Sequence, residues 1–141
     1  HLLRQLSQVP RRDALALHAR LGLGERERGG RVRGPVYPVT PHASADGMAY
    51  IDHPAWPAEY RTLYVSLFGE VFNPIPVGHI VERITLRTET TPDGELTYRG
   101  EPSTFISGLD RPLPLVTAPN GNMVVGDYAT GVLYEIVYVG E

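Results

Sequence analysis

The sequence contains no cysteine, no lysine, a single tryptophan and no apolar run long enough to cross a bilayer as a helix. The missing cysteine excludes disulfides, thiolate metal sites, covalently attached c-type haem and cysteine nucleophiles. All thirteen basic residues are arginine, a bias that codon usage explains as well as any need for forked donors, so no function is drawn from it. What is present is 42% hydrophobic and 21% charged residues in 141 positions, enough for one domain that buries roughly two thirds of its surface. Fifteen glycines, thirteen prolines and a tyrosine-rich aromatic set favour turns and short strands over long helices. The fold class expected is all-β.

Charge is unevenly spread. Residues 1 to 36 hold eight arginines against Asp13, Glu25 and Glu27, a local charge of +5, which leaves −8 for the rest. Asp13 to Leu23 reads as a short amphipathic helix, capped by Asp13 and ended by Gly22 and Gly24. Beyond it Arg26, Arg28, Arg31 and Arg33 stand among glycines, a pattern that suits phosphates or an anionic lipid surface and equally suits a solvated linker. With no aromatic residue between them, stacking on nucleic-acid bases has no platform, and no nucleic-acid partner is expected. Pro35, Pro38 and Pro41 then block both helix and central strand. Residues 1–40 therefore read as a helix and an Arg/Gly/Pro-rich lead-in, and 41–141 as the β domain.

From Gly47 onward short apolar runs alternate with turn chemistry. Strands are expected at 48–51, 62–68, 79–87, 95–99, 104–106, 113–117, 122–126 and 132–139, with turns at Pro92-Asp93-Gly94 and Pro119-Asn120-Gly121. Along 79–87, period two sets Ile80, Ile84 and Leu86 on one face and Val81, Arg83 and Thr85 on the other. A weak repeat, a glycine turn followed by two apolar strands, occurs first at Asp46-Gly47 and again at Asn120-Gly121. Propeller blades have this rhythm.

The segments PHASADGMAYIDHPAWPAEYRTLYVSLFGE, VGHIVERITL and FISGLDRPLPLVTAPNGNMVVGDYATGVLYEIVY resemble the C-terminal part of the soluble pyrroloquinoline-quinone sugar dehydrogenases, the glucose and sorbosone dehydrogenase family. The likeness spans about residues 41 to 140. It implies a six-bladed β-propeller whose central opening holds the quinone and calcium, oxidation of aldoses, and an extracytoplasmic, periplasmic or secreted, location. His1 in place of an initial Met leaves a removed leader open. Only about two blades are represented, because each blade needs about 40 residues and a closed ring at least four blades. A closed single-chain propeller is therefore not expected, and open sheet edges and faces call for other protein chains or a second copy.

The resemblance also bears on site residues. Where the family has a His-Gly-Ser-Trp-Asn-like stretch, this sequence has Phe68-Gly69-Glu70-Val71-Phe72, and Ile80 stands where a quinone-contacting lysine is expected. Arg111 is left as the partner for a quinone carboxylate, and His42 as a residue bordering the opening. The alternatives for these two are a local ion pair with Asp110 and a structural histidine with Asp46 as its nearest carboxylate. No catalytic residue and no metal ligand set is assigned, since the His42 and His53 spacing fits no zinc pattern. Trp56 reads as a loop anchor against a sugar platform, and Asp127 as an acceptor for turn amides. The expectation is a non-catalytic subunit that holds no cofactor by itself; the alternative is a portion of a quinone- and calcium-dependent sugar dehydrogenase.

Overall fold

The computed structural model describes residues 35–70, 72 and 74–140. The expected helix at 13–23 and the arginine cluster lie outside these residues. Seven strands make up the described chain: β1 Ala45–Tyr50, β2 Leu63–Leu67, β3 Ile80–Thr90, β4 Leu96–Ile106, β5 Pro112–Thr117, β6 Met123–Asp127 and β7 Val132–Ile136, with one 3-10 turn at Ala58–Tyr60. They form a four-stranded sheet in the order β1-β2-β3-β4 and a three-stranded sheet in the order β5-β6-β7, each antiparallel throughout. Neither sheet closes on itself, and the arrangement is that of partial propeller-like blades.

Two runs read as separate strands, 95–99 and 104–106, are one strand, β4. Gly100 and Pro102 interrupt the sequence pattern, yet β4 is an edge strand, where a proline without an amide donor is tolerated. Gly100 has its own reason. Its amide donates to the Val36 carbonyl at 2.8 Å, and a Cβ there would come within 2.9 Å of Tyr37 Cβ. The chain ahead of β1 thus meets the β4 edge, and Tyr37 and Val39 pack on one face of the four-stranded sheet.

At β2 and the start of β3 that sheet is covered on both faces. One face gives Ala49, Tyr64 and Val81 to a core shared with Leu115, Met123 and Val125 of the second sheet. The other gives Val65, Leu67 and Ile84 to a smaller core with Ala43. β2 is accordingly apolar at nearly every position, as a strand covered on two sides must be. The split of Ile80 and Ile84 from Val81 follows the period-two reading of β3.

Two devices hold the sheets face to face. Ser66 Oγ accepts the Gly47 amide at 2.9 Å and donates to the Leu113 carbonyl at 2.9 Å, joining β1, β2 and β5. Gly47 lets β5 lie this close, since a Cβ would meet the Leu113 carbonyl and come within 3.0 Å of the Leu115 amide. Trp56, 3% exposed, donates from Nε1 to the Gly121 carbonyl at 2.9 Å and tilts against Tyr60, Phe105 and Tyr138. It is the loop anchor; burial removes it as a sugar platform.

Candidate functional site

The two sheets end in loops on one side, at the start of β1, the end of β2 and the starts of β3 and β5. Residues 43–44 and 68–69 are zipped together: the Phe68 amide donates to the Ser44 carbonyl at 2.9 Å and the Gly69 amide to the Ala43 carbonyl at 2.8 Å. Gly78, at φ 81°, fits against them because a Cβ would stand 2.6 Å from Gly69 Cα and 2.9 Å from the Ala43 carbonyl. Three non-glycine residues in the same cluster have positive φ, namely His42 at 66°, Ser44 at 52° and His79 at 60°. Such conformations cost about 1–3 kcal/mol each and concentrate where function holds the backbone in place.

His79 lies across Gly69, and its Nδ1 hydrogen-bonds the Asp110 carbonyl. A carbonyl only accepts, so Nδ1 carries the proton. Beside it the Arg111 guanidinium sits 5.7 Å above the Phe68 ring, and Phe68 meets Tyr128 at 6.1 Å. Beneath these groups Asp127, 3% exposed, accepts the Asp110 amide at 2.8 Å, the Arg111 amide at 2.9 Å and the Ala129 amide at 3.2 Å. Burial alone would raise this carboxyl, but the amides of Asp110, Arg111, Thr130 and Ala129 outweigh it and hold it below the usual carboxylate range. Asp127 therefore fixes the loop that carries Arg111, as well as its own turn.

Both residues singled out by the resemblance, Arg111 and His42, fall at this end of the fold, linked through Gly69, Gly78 and His79. Arg111 rests on Phe68 rather than pairing with Asp110, and His42 lies 3.9 Å from Glu70 rather than beside Asp46, whose carboxylate accepts the Ser44 hydroxyl at 2.9 Å. Arg26, Arg28, Arg31 and Arg33 lie outside the described residues. Sequence reasoning did not single out His79, and it met Phe68 and Glu70 only as departures from the family's stretch; the flanking pair Gly69 and Gly78 is the further signal that they cluster. The cluster provides a cation on an aromatic surface and a pair of an exposed His42 with a half-buried Glu70. Among the described residues no three histidine, cysteine, aspartate or glutamate side chains converge to hold a metal.

A second feature lies on the smaller-core face of the four-stranded sheet. A groove of about 390 Å³ runs between the Val36–Val39 segment and β1, floored by Leu63, Val65 and Ile84. On the same face Glu82 is buried with Tyr37 as its hydrogen-bond partner and with Oε2 unpaired. Burial raises the Glu82 carboxyl and the Tyr37 hydrogen bond only partly offsets it, while burial and the Glu82 charge raise Tyr37 in turn.

The fold and this loop cluster together define an all-β protein of two stacked, unclosed antiparallel sheets with a strained loop cluster at one end. Comparison with protein-family models, with curated proteins and with solved structures gave no match.

Proposed function

We propose that the chain is a non-catalytic, propeller-derived binding module that works by contact with other protein chains in an extracytoplasmic assembly. The location comes from the family resemblance alone. The carrying observation is a stack of two sheets with apolar side chains uncovered on both of its outer sides: Met48 and Tyr50 on one, Val116 and Leu133 on the other. Sheets with bare faces and free edges are completed by neighbours. The test is the mass in solution together with the thermal unfolding of the whole chain. Association, or unfolding that sharpens when a partner chain is added, supports the reading; a stable, cooperative monomer that binds no chain overturns it.

The loop cluster favours a second reading, a portion of a quinone- and calcium-dependent sugar dehydrogenase. Arg111 has the charge to meet a quinone carboxylate, but calcium takes about six to eight oxygen ligands, and the described residues supply no converging acidic set. No step is derived through the metal. Dye reduction with an aldose after addition of pyrroloquinoline quinone and calcium would establish this reading; none with any aldose would remove it.

A further inference from the structure

The turn between β5 and β6 carries Asn120-Gly121, the one place in the sequence where an asparagine precedes a glycine. This pair is chemically weak, because glycine has no Cβ to keep its backbone nitrogen away from the neighbouring side-chain carbonyl. In the folded turn both reacting groups are engaged. Gly121, buried and at φ 87°, donates its amide to the Ala118 carbonyl at 2.8 Å, and the Ala118 amide donates to the Asn122 carbonyl at 2.8 Å. The exposed Asn120 side chain accepts the Asn122 amide through Oδ1 at 3.1 Å and donates through Nδ2 to Glu135 Oε1 at 3.3 Å. That same oxygen accepts the Asn122 side chain at 2.7 Å, and the Asn122 and Asn120 bonds hold the Glu135 carboxyl below its usual range. Glu135, paired with Val124 across β6 and β7, thus reaches over to hold the turn that precedes β6. The Gly121 carbonyl is also the acceptor for Trp56 Nε1 at 2.9 Å, and a Cβ at Gly121 would strike the His53 ring. One turn joins a reactive dipeptide to an anchor between the sheets.

We propose that Asn120 is a modification site, a latent point of deamidation that Glu135 keeps closed. In the reaction the Gly121 backbone nitrogen attacks Asn120 Cγ. The N–Cγ bond forms, the Cγ–Nδ2 bond breaks, and Nδ2 leaves as ammonia, taking up the Gly121 amide proton. Water then opens the cyclic imide: attack at Cγ yields aspartate, and attack at the backbone carbonyl yields isoaspartate, with the chain running through Cβ. While the turn is closed, the Gly121 amide is committed to Ala118 and the side-chain amide is held at both ends, so ring closure waits for local opening. The bonds to the Glu135 carboxylate resist that opening. Conversion then weakens the fold at a defined place. Aspartate puts a carboxylate where Nδ2 met Glu135, like charge beside like charge. Isoaspartate adds a methylene to the backbone just ahead of the Gly121 carbonyl that receives Trp56.

The experiment incubates the full 141-residue chain in neutral buffer, folded and in unfolding urea, and reads Asn120 conversion by peptide mapping and mass spectrometry. E135A and E135Q are treated alike. Folded wild type should convert much more slowly than the unfolded chain. Folded E135A should convert several-fold faster than folded wild type, E135Q, which keeps an acceptor for the asparagine amides, should stay close to wild type, and all three should convert alike in urea. Hydrogen exchange distinguishes local opening from general loss of stability: in E135A the Gly121 amide exchanges faster while that of Val125, in the core, does not. If E135A fails to fold, E135D, whose carboxylate is drawn back by one methylene, is read in its place. N120D, the direct product, should melt below wild type. Folded wild type converting as fast as in urea, or E135A converting no faster than wild type, overturns the inference. N120D melting with wild type overturns the link from the modified turn to the stability of the fold.

Discussion

Two buried carboxyls sit in opposite environments, and each ties stability to pH with its own sign. Asp127 is lowered in the folded chain, so it binds its proton more weakly there than when unfolded. Its stabilisation is complete above the unfolded carboxylate range near about 4 and is lost as pH falls through the folded value. D127N keeps the shape and removes the charge that the loop amides point at. Chemical denaturation at pH 7 should show a loss of about 2 kcal/mol, with the gap to wild type closing below pH 3. Glu82 runs the other way. Raised by burial, it holds its proton more tightly when folded, so wild-type stability is greatest below the unfolded carboxylate range and declines as pH rises through the folded value. E82Q keeps an acceptor for the Tyr37 hydroxyl and removes that decline, so it should be more stable than wild type at pH 7 and nearly equal at pH 4. The Asp127 role was legible in the sequence only for its own turn. That its carboxylate also holds Asp110 and Arg111 depends on the β5–β6 register, which places Pro112 opposite Asp127.

At the level of the strand, the fold could be read wherever turn chemistry and apolar runs agree. All seven strands overlap expected segments, and both expected turns form, with the Gly94 amide donating to Thr91 at 2.9 Å and the Gly121 amide to Ala118 at 2.8 Å. The reading failed where a breaker residue answers to something other than the strand's own preference. Gly100 yields to the crossing Tyr37, and Pro102 is tolerated on an edge. The loop cluster was least legible, because His42 and Glu70 lie 28 positions apart and His79 meets Asp110 across 31 positions. Positive φ at histidine and serine carries no sequence signal of its own. Gly47 shows how much one close approach decides. In G47A the methyl group would strike the Leu113 carbonyl, a backbone atom that moves only if β5 moves. The expected loss is about 3 kcal/mol. S66A should cost less, about 1–2 kcal/mol, because it leaves the Gly47 amide and the Leu113 carbonyl unpaired without a clash. Urea unfolding of both variants checks the order.

At the scale of the whole sheet pair, the described residues form a stack held at its centre, with exposed apolar side chains on its outer sides. Tyr64 is fully buried on β2; its hydroxyl donates to the Tyr60 carbonyl at 2.8 Å, and burial pushes its pKa up to about 12. β7, by contrast, is exposed at four of its five positions. A chain built this way has a stable middle and outer faces whose apolar cost is removed only by contact. If the outer sides are covered by further copies, folding and association are linked, and the unfolding temperature depends on concentration. For a unit of this size the midpoint of the wild type should rise by about 3–6 °C for each tenfold increase in chain concentration. The midpoint of the double variant M48E/L133E should stay flat, because it sets a charge on each outer side. Differential scanning calorimetry over two decades of concentration separates this from a fold that is complete in one chain, for which both proteins would melt at temperatures independent of concentration.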